Sequence, residues 1–110
     1  MLRIPTHGPP THPGEMLLEE FLKPLGISQK QLAEALDMPY QHLSDIVNQR
    51  RGINASTALH LAHFFRNSVG FWMNLQTAWD VYHAQQQEGE KIKYLKSLDD
   101  ILPQTLPSKR

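Results

Sequence analysis

The sequence predicts an all-α protein, a five-helix bundle with a short C-terminal tail. Apolar residues recur at helical spacing in five consecutive segments, and residues that commonly start or stop helices separate those segments. No alternation of apolar and polar residues is long enough to indicate a strand. The length of 110 residues suits one domain with short tails.

The helix boundaries are predicted from capping and helix-stopping residues. Gly26 stops the first helix, and Gln31, three residues after Ser28, completes a capping-box pattern for the second. The residues predicted to start or cap the five helices are Pro13, Ser28, Pro39, Asn54 and Ser68. The predicted apolar faces, in chain order, are Leu18, Phe21, Leu22 and Leu25; Leu32, Ala33 and Leu36; Leu43, Ile46 and Val47; Ala58, Leu61, Ala62 and Phe65; and Trp72, Leu75, Trp79 and Tyr82.

Composition divides the chain into three parts. Residues 1–12 are rich in proline and are predicted to form a flexible N-terminal arm, and residues 13–85 are predicted to form the folded domain. The glutamines at 85–87 mark a change of composition. Residues 86–110 are therefore predicted to be a tail with one or two short helical turns, one of them after Ser97.

Charge and composition exclude several classes of protein. The absence of cysteine excludes disulfide scaffolds and thiolate metal sites. Eleven basic residues balance eleven acidic ones, and residues 28–66 have four basic and three acidic residues, a net charge of +1. Non-specific attraction to nucleic acid should therefore be weak. No apolar run approaches the roughly 20 residues that cross a bilayer, and the N-terminus lacks the pattern of a signal peptide. We expect a protein of the bacterial cytoplasm without a membrane partner.

The sequence offers no convincing catalytic or metal site. His60 and His63 lie at i, i+3 spacing, but a metal site would need further ligands, so they are interpreted as surface histidines. Glu19 and Glu20 are adjacent, hence on different sides of a helix, and are interpreted as solvated charges. We expect no metal, no cofactor and no enzymatic activity.

Two short helices joined by a tight turn, at about residues 28–49, carry the functional prediction. Such a pair cannot bury its own apolar residues and needs flanking helices to close a core. This is the pattern of a helix-turn-helix, whose second helix enters the major groove of DNA. Asp37 lies at the turn, where a residue that tolerates positive φ is needed. Residues 39–48 form the predicted recognition helix.

The polar residues that the apolar faces leave outside are the candidate DNA contacts. Gln41 can form two hydrogen bonds with an adenine edge, and Asp45 can accept a hydrogen bond from cytosine N4. Helix and loop residues nearby are better placed for phosphates. The predicted base contacts are Tyr40, Gln41, His42, Ser44 and Asp45, and the predicted phosphate contacts are Gln29, Asn48, Arg50 and Arg51. The alternative is a helical bundle whose polar face is only solvated.

The fifth helix has more large aromatic residues than a core of this size easily buries. Trp72, Trp79 and Tyr82 lie on one stripe of this helix. Excess apolar surface usually marks an association site. These three residues are therefore the predicted contacts of a homodimer.

The sequence also resembles a known family. Residues 28–36 (SQKQLAEAL) are similar to the first helix of the XRE-type (Cro/CI-like) repressor motif, which has the lambda-repressor-like fold. With three further segments, residues 12–83 resemble the HigA family of toxin–antitoxin antitoxins. Those segments are residues 12–22 (HPGEMLLEEFL), 46–53 (IVNQRRGI) and 71–76 (FWMNLQ).

The resemblance implies a homodimeric repressor that is encoded beside a HigB-like mRNA-cleaving toxin. Such a protein binds and neutralises the toxin, and it represses the shared operon by binding operator DNA. Carried over by position, Gln29 would clamp a phosphate, Tyr40, Gln41, His42 and Asp45 would read bases, and Asn48 and Arg50 would contact the backbone. This sequence departs from the pattern at Asp37 and Gln49, which replace glycines at the turn and after the recognition helix.

Two other functions remain open at the level of sequence. One is a stand-alone transcriptional regulator without a toxin partner, and the other is a helix-turn-helix that serves only protein contacts. For an antitoxin, the candidate toxin contacts are the arm before Pro13, the first helix and the tail after Gly89. The sequence does not choose among these three segments.

Overall fold

The computed structural model describes residues 9–103, and the only regular secondary structure in this range is helical. Helix α1 is continuous and has three segments, α-helical Pro13–Met16, π-helical Leu17–Leu22 and α-helical Lys23–Leu25. The remaining helices are α2 (Gln29–Ala35), α3 (Tyr40–Val47), α4 (Ala55–Phe65), α5 (Val69–Ile92) and α6 (Leu98–Ile101). The predicted all-α fold is confirmed. Residues 1–8 of the predicted arm and 104–110 of the predicted tail lie outside the described residues.

The predicted caps form as expected. The side chains of Ser28, Asn54 and Ser68 each accept a hydrogen bond from the backbone N–H three residues later, at 2.9 to 3.0 Å. Gln31 also accepts from the N–H of Ser28 at 2.8 Å, which completes the capping box. These bonds satisfy N–H groups that a helix start would otherwise leave unpaired.

The core lies between α1 and the first half of α5. The predicted apolar faces of α2 and α3 are completely buried, as expected from their helical spacing. Helix α1 differs, because its buried Leu17 and Leu22 lie five residues apart, a spacing that fits its π-helical segment. The prediction for Leu25 is wrong. This side chain is 60% exposed, because the helix ends there at Gly26.

Four helices end in the same backbone motif, and three of them do so without glycine. The residue with positive φ is Gly26, Asp37, Gln49 and Arg66 at the ends of α1 to α4 respectively. In each case the following N–H bonds to the carbonyl five residues back, at 2.8 to 3.1 Å. This is the Schellman motif. The predicted positive φ at the turn residue Asp37 is confirmed, at 54°.

Helix α5 continues to Ile92, beyond the change of composition at residues 85–87. The glutamines, glutamates and lysines of this stretch are good helix formers, and Gly89 costs the helix only about 1 kcal/mol. The first part of the predicted tail therefore extends α5. The predicted turn after Ser97 is confirmed as α6, which a Ser97–Asp100 capping box opens. Within residues 9–103, no helix has the length and apolar character needed to span a membrane.

His12 caps the start of α1 and is buried, with 2% of its surface exposed. Its Nδ1 accepts a hydrogen bond from the N–H of Gly14 at 2.8 Å, and its ring meets the edge of Trp79 with centroids 4.8 Å apart. His12 therefore belongs to the folded domain, although the sequence placed it in a flexible arm. Burial lowers the pKa of His12; Asp80 opposes this effect and His83 adds to it.

The free energy of unfolding is expected to fall as the pH drops below about 6.5, the usual pKa of histidine. Only a neutral His12 ring can accept the bond from Gly14, because a protonated ring carries N–H on both nitrogens. Since the folded-state pKa is lowered, the unfolded state takes up the proton first. The contribution is complete above the unfolded pKa and is lost as the pH falls through the folded one. Urea titrations from about pH 7.5 to 5.5 measure this loss.

The matched variant for this prediction is His12→Asn. Its amide oxygen can accept the bond from Gly14 without titrating. The variant should therefore show a flatter pH dependence than the wild type, whatever its stability at neutral pH. The same pH dependence in both proteins would contradict the role of His12.

Candidate nucleic-acid interface

Helix α3 presents most of the predicted base contacts at its first turns. Tyr40 is 52% exposed and Gln41 is exposed, whereas His42, Ser44 and Asp45 are half-buried. The opposite face of α3 is buried in the core. Burial lowers the pKa of His42, Arg51 lowers it further and Asp45 opposes both effects, so His42 is uncharged at neutral pH.

The position of α3 is fixed by direct contact with the start of α1. A Cβ atom built on Gly14 would lie only 1.7 Å from the carbonyl oxygen of Ile46 and 2.6 Å from its carbonyl carbon. The two backbones therefore touch at this point, and only glycine leaves room for the contact. The sequence segment 12–22 thus carries a constraint on the recognition helix as well as the start of α1.

Three of the predicted DNA contacts form one hydrogen-bonded group. Asp45 Oδ1 accepts from Gln41 Nε2 at 2.9 Å, and from Arg50 Nη2 and Nε at 3.1 and 3.3 Å. The bond from Gln41 lowers the pKa of Asp45; partial burial opposes this, and Arg50 lowers the pKa further. Asp45 is therefore ionised at neutral pH. We call these residues the Gln41–Asp45–Arg50 group.

The end of α3 explains why Arg50 reaches Asp45. In the Schellman motif, the residue after the positive-φ position lies over the helix residue five positions earlier, and an apolar contact often joins the two. Here the N–H of Arg50 bonds to the carbonyl of Asp45 at 2.8 Å, and an ion pair replaces the apolar contact. Gln49 supplies the positive φ, at 63°.

The other predicted phosphate contacts differ in how available they are. Arg51 is exposed. Asn48 Nδ2 donates to the carbonyl oxygen of Ser44 at 2.9 Å and to its Oγ at 3.2 Å, so that amide must leave α3 before it can reach a phosphate. Gln29 is half-buried, and its Oε1 has no hydrogen-bond partner within residues 9–103. An unpaired buried acceptor costs about 1–3 kcal/mol, so Gln29 is not explained by stability.

Gln76 on α5 holds the loop that carries the arginines, a role that the sequence did not predict. Its Oε1 accepts from the N–H of Ile53 at 2.8 Å, and its Nε2 donates to Asp80 at 2.9 Å. A Cβ on Gly52 would lie 2.6 Å from the Gln76 amide, so the loop packs closely on this side chain. The segment 71–76 gave the only signal, as part of a family resemblance.

Replacing Gln76 by alanine should lower the free energy of unfolding by about 1–3 kcal/mol, because the N–H of the buried Ile53 loses its acceptor. Gln76→Glu keeps an acceptor but loses the donor to Asp80, so we expect an intermediate effect. Gln87→Ala, at an exposed site on the same helix, is the matched control and should change stability by less than about 0.5 kcal/mol. Urea denaturation measures all three. Equal stabilities for Gln76→Ala and Gln87→Ala would contradict the clamp.

The predicted dimer contacts do not share one environment. Trp72 is 0% exposed in a single chain, and its Nε1 donates to Asn67 Oδ1 at 2.9 Å. It has no surface to offer a partner, so the prediction for Trp72 is corrected: it is a core residue. Trp79 and Tyr82 are half-buried and retain accessible surface.

The histidines on α4 have an ordinary helical environment. His60 Nδ1 lies 2.7 Å from the carbonyl oxygen of Ser56, one turn earlier. Across residues 9–103, no three side chains of His, Asp or Glu are grouped so that they could hold a metal ion.

Comparison with known proteins agrees with the geometry. The helix-turn-helix family matches residues 18–72, half of the chain. Virulence-associated protein I of Dichelobacter nodosus is 45% identical over 95 residues, 86% of this chain and 82% of that protein. Antitoxin HigA-1 of Vibrio cholerae is 36% identical over 96 residues, 87% of this chain and 90% of that protein.

A solved structure extends this agreement to three dimensions. Antitoxin HigA of Pseudomonas aeruginosa, determined with the higBA promoter, is 39% identical and superimposes with a TM-score of 0.77, over 80% of this chain and 97% of that one. Both sequence and fold are therefore similar over most of each protein. This chain belongs to the HigA antitoxin family of helix-turn-helix proteins.

Proposed function

We propose that this protein is a dimeric antitoxin that represses its own operon and neutralises a HigB-like mRNA-cleaving toxin. The observation that carries the proposal is the polar face of α3, which is flanked by Arg50 and Arg51 in a member of the HigA family. The Pseudomonas aeruginosa relative was solved with promoter DNA. The proposed activity is binding, which needs neither a catalytic group nor a cofactor, and it belongs in the bacterial cytoplasm, where the operator lies.

The Gln41–Asp45–Arg50 group supports a role of Gln41 in reading bases. One N–H of the Gln41 amide is held by Asp45, which fixes the end of the amide that carries the nitrogen. The second N–H and Oε1 remain for a base. An adenine presents N7 as acceptor and N6 as donor in the major groove, which matches that pair.

The absence of net charge makes dimerisation important for affinity. A neutral protein gains little from non-specific attraction to phosphates, so two recognition helices acting together must supply the affinity. We place the dimer contact on α5, at Trp79 and Tyr82, next to Val81, which is 49% exposed. A two-fold dimer would set the α3 helices about 34 Å apart, so we expect an inverted repeat with half-sites one helical turn apart or a multiple.

DNA binding is tested with a duplex from the region upstream of the coding sequence and a scrambled duplex of the same composition. Gln41→Ala should relax preference at one or two base positions, with a loss of about 1–3 kcal/mol on the upstream duplex alone. Arg51→Gln should weaken binding to both duplexes and reduce the salt slope by about 0.9 for each lost phosphate contact. Fluorescence anisotropy across a salt series measures both. The same pattern from both variants would contradict the assigned roles.

Toxin neutralisation is tested by co-expression with the product of the adjacent reading frame. We expect that product to arrest growth when expressed alone, and this protein to restore growth and to co-purify with it. Operator binding without any effect on growth arrest would contradict the antitoxin role. It would support the stand-alone regulator instead.

A further inference from the structure

We propose that Asp45 determines sequence specificity by withholding Arg50 from DNA that lacks the right base. On non-operator DNA, the Arg50 side chain remains paired with Asp45. On the operator, Arg50 transfers to a phosphate, and Asp45 accepts a hydrogen bond from a base amino group in its place. The inference rests on the proposed DNA binding and adds a mechanism of discrimination to it.

The geometry allows the arginine to leave while the carboxylate stays. The side chain of Arg50 is 60% exposed and that of Asp45 is 27% exposed. The backbone of Arg50 is held by the carbonyl of Asp45, so only the guanidinium group needs to move. Gln41 still donates to Asp45 at 2.9 Å after that move, which keeps the carboxylate aimed as before.

The exchange favours some bases over others because of the charge that Arg50 leaves behind. A carboxylate placed in a DNA groove without a cation is repelled by the phosphates and loses hydration. Cytosine N4 and adenine N6 offer donors in the major groove that restore a hydrogen bond. Guanine presents only acceptors there, and thymine an acceptor and a methyl group. Asp45 therefore releases Arg50 opposite cytosine or adenine and retains it opposite guanine or thymine.

A measurable consequence follows for the dependence on salt. Each phosphate contact steepens the slope of log affinity against log salt concentration by about 0.9. If Arg50 contacts a phosphate only on the operator, the wild-type slope on the upstream duplex should exceed that on the scrambled duplex by about 0.9 per protomer from this residue. A pair of arginines that contacted all DNA alike would leave no such difference from Arg50.

Two variants separate the halves of the exchange. Asp45→Asn keeps the shape of the side chain but frees Arg50, so scrambled DNA should bind about tenfold more tightly, with a slope steeper by about 0.9 per protomer. The ratio of upstream to scrambled affinity should fall by a comparable factor. Arg50→Met should weaken binding to the upstream duplex about tenfold and leave the scrambled duplex within about twofold. Asp99→Asn removes the same charge from exposed α6 and should leave the ratio unchanged.

The decisive readouts are the affinity ratio and selection from randomised duplexes. The proposal expects wild type to select cytosine or adenine at one position per half-site, and Asp45→Asn to lose that preference. It is overturned if Asp45→Asn tightens both duplexes equally, or if Arg50→Met weakens both equally while circular dichroism shows folded protein. A wild type that binds both duplexes equally contradicts the proposed DNA recognition itself, and this inference with it.

Discussion

Replacing Gly14 by alanine is expected to lower the free energy of unfolding by at least about 3 kcal/mol, the upper end of the usual cost of overpacking. The new Cβ would lie 1.7 Å from the carbonyl oxygen of Ile46, which is backbone and cannot rotate away. Helices α1 and α3 would have to separate, and the buried face of α3 would lose its contacts. Because the total stability of a small domain is about 5–15 kcal/mol, this loss should be visible in both thermal and urea denaturation.

Gly89→Ala is the matched control for this prediction. Gly89 lies in α5, and a Cβ there would meet nothing within 4 Å. The same substitution should therefore stabilise the helix, by up to about 1 kcal/mol. If the two variants had equal stability, α1 and α3 would not be in backbone contact at Gly14.

Replacing Trp72 by alanine is expected to cost about 3–5 kcal/mol, as for other large aromatic residues in a core. Its ring lies 5.0 Å from the rings of both Phe21 and Phe71, measured between centroids, so the substitution leaves a cavity between α1 and α5. It also removes the donor to Asn67. Trp72→Phe keeps most of the ring volume and should cost about 1–3 kcal/mol, mainly through the unpaired Asn67 oxygen.

Trp79→Ala is the control that separates core from interface. Trp79 is half-buried, so we expect a smaller loss of protomer stability and a larger loss of dimer affinity, measured by sedimentation equilibrium. Trp72→Phe should have the opposite pattern, with a folded and dimeric protein. A Trp72→Phe protein that is folded but monomeric would contradict the assignment of Trp72 to the core.

The sequence predicted α2, α3 and α4 well because their apolar residues follow regular α-helical spacing. It failed on α1, where the π-helical segment places Leu17 and Leu22 on the buried side and no 3.6-residue pattern indicates that change. It also ended α5 too early. A run of polar residues that are good helix formers is compatible with both a helix and a tail, and composition alone does not distinguish the two.

The candidate site was predicted as a set of residues but not as an arrangement. The sequence identified Gln41, Asp45 and Arg50, yet their mutual hydrogen bonds depend on a positive φ at Gln49 that brings Arg50 back over α3. Gln76 was missed for a different reason. It binds the N–H of Ile53, which lies 23 residues away in the sequence, and no local pattern encodes such a contact.

The central claim is that this protein recognises its own operator through α3. The most direct test is a gel shift of the purified protein with the DNA upstream of its coding sequence, in the presence of excess scrambled competitor. We predict a discrete shift with wild type that survives competitor and is lost or weakened about tenfold with Gln41→Ala. No shift at micromolar protein, or a shift that the competitor removes equally from wild type and variant, would contradict sequence-specific recognition by this helix.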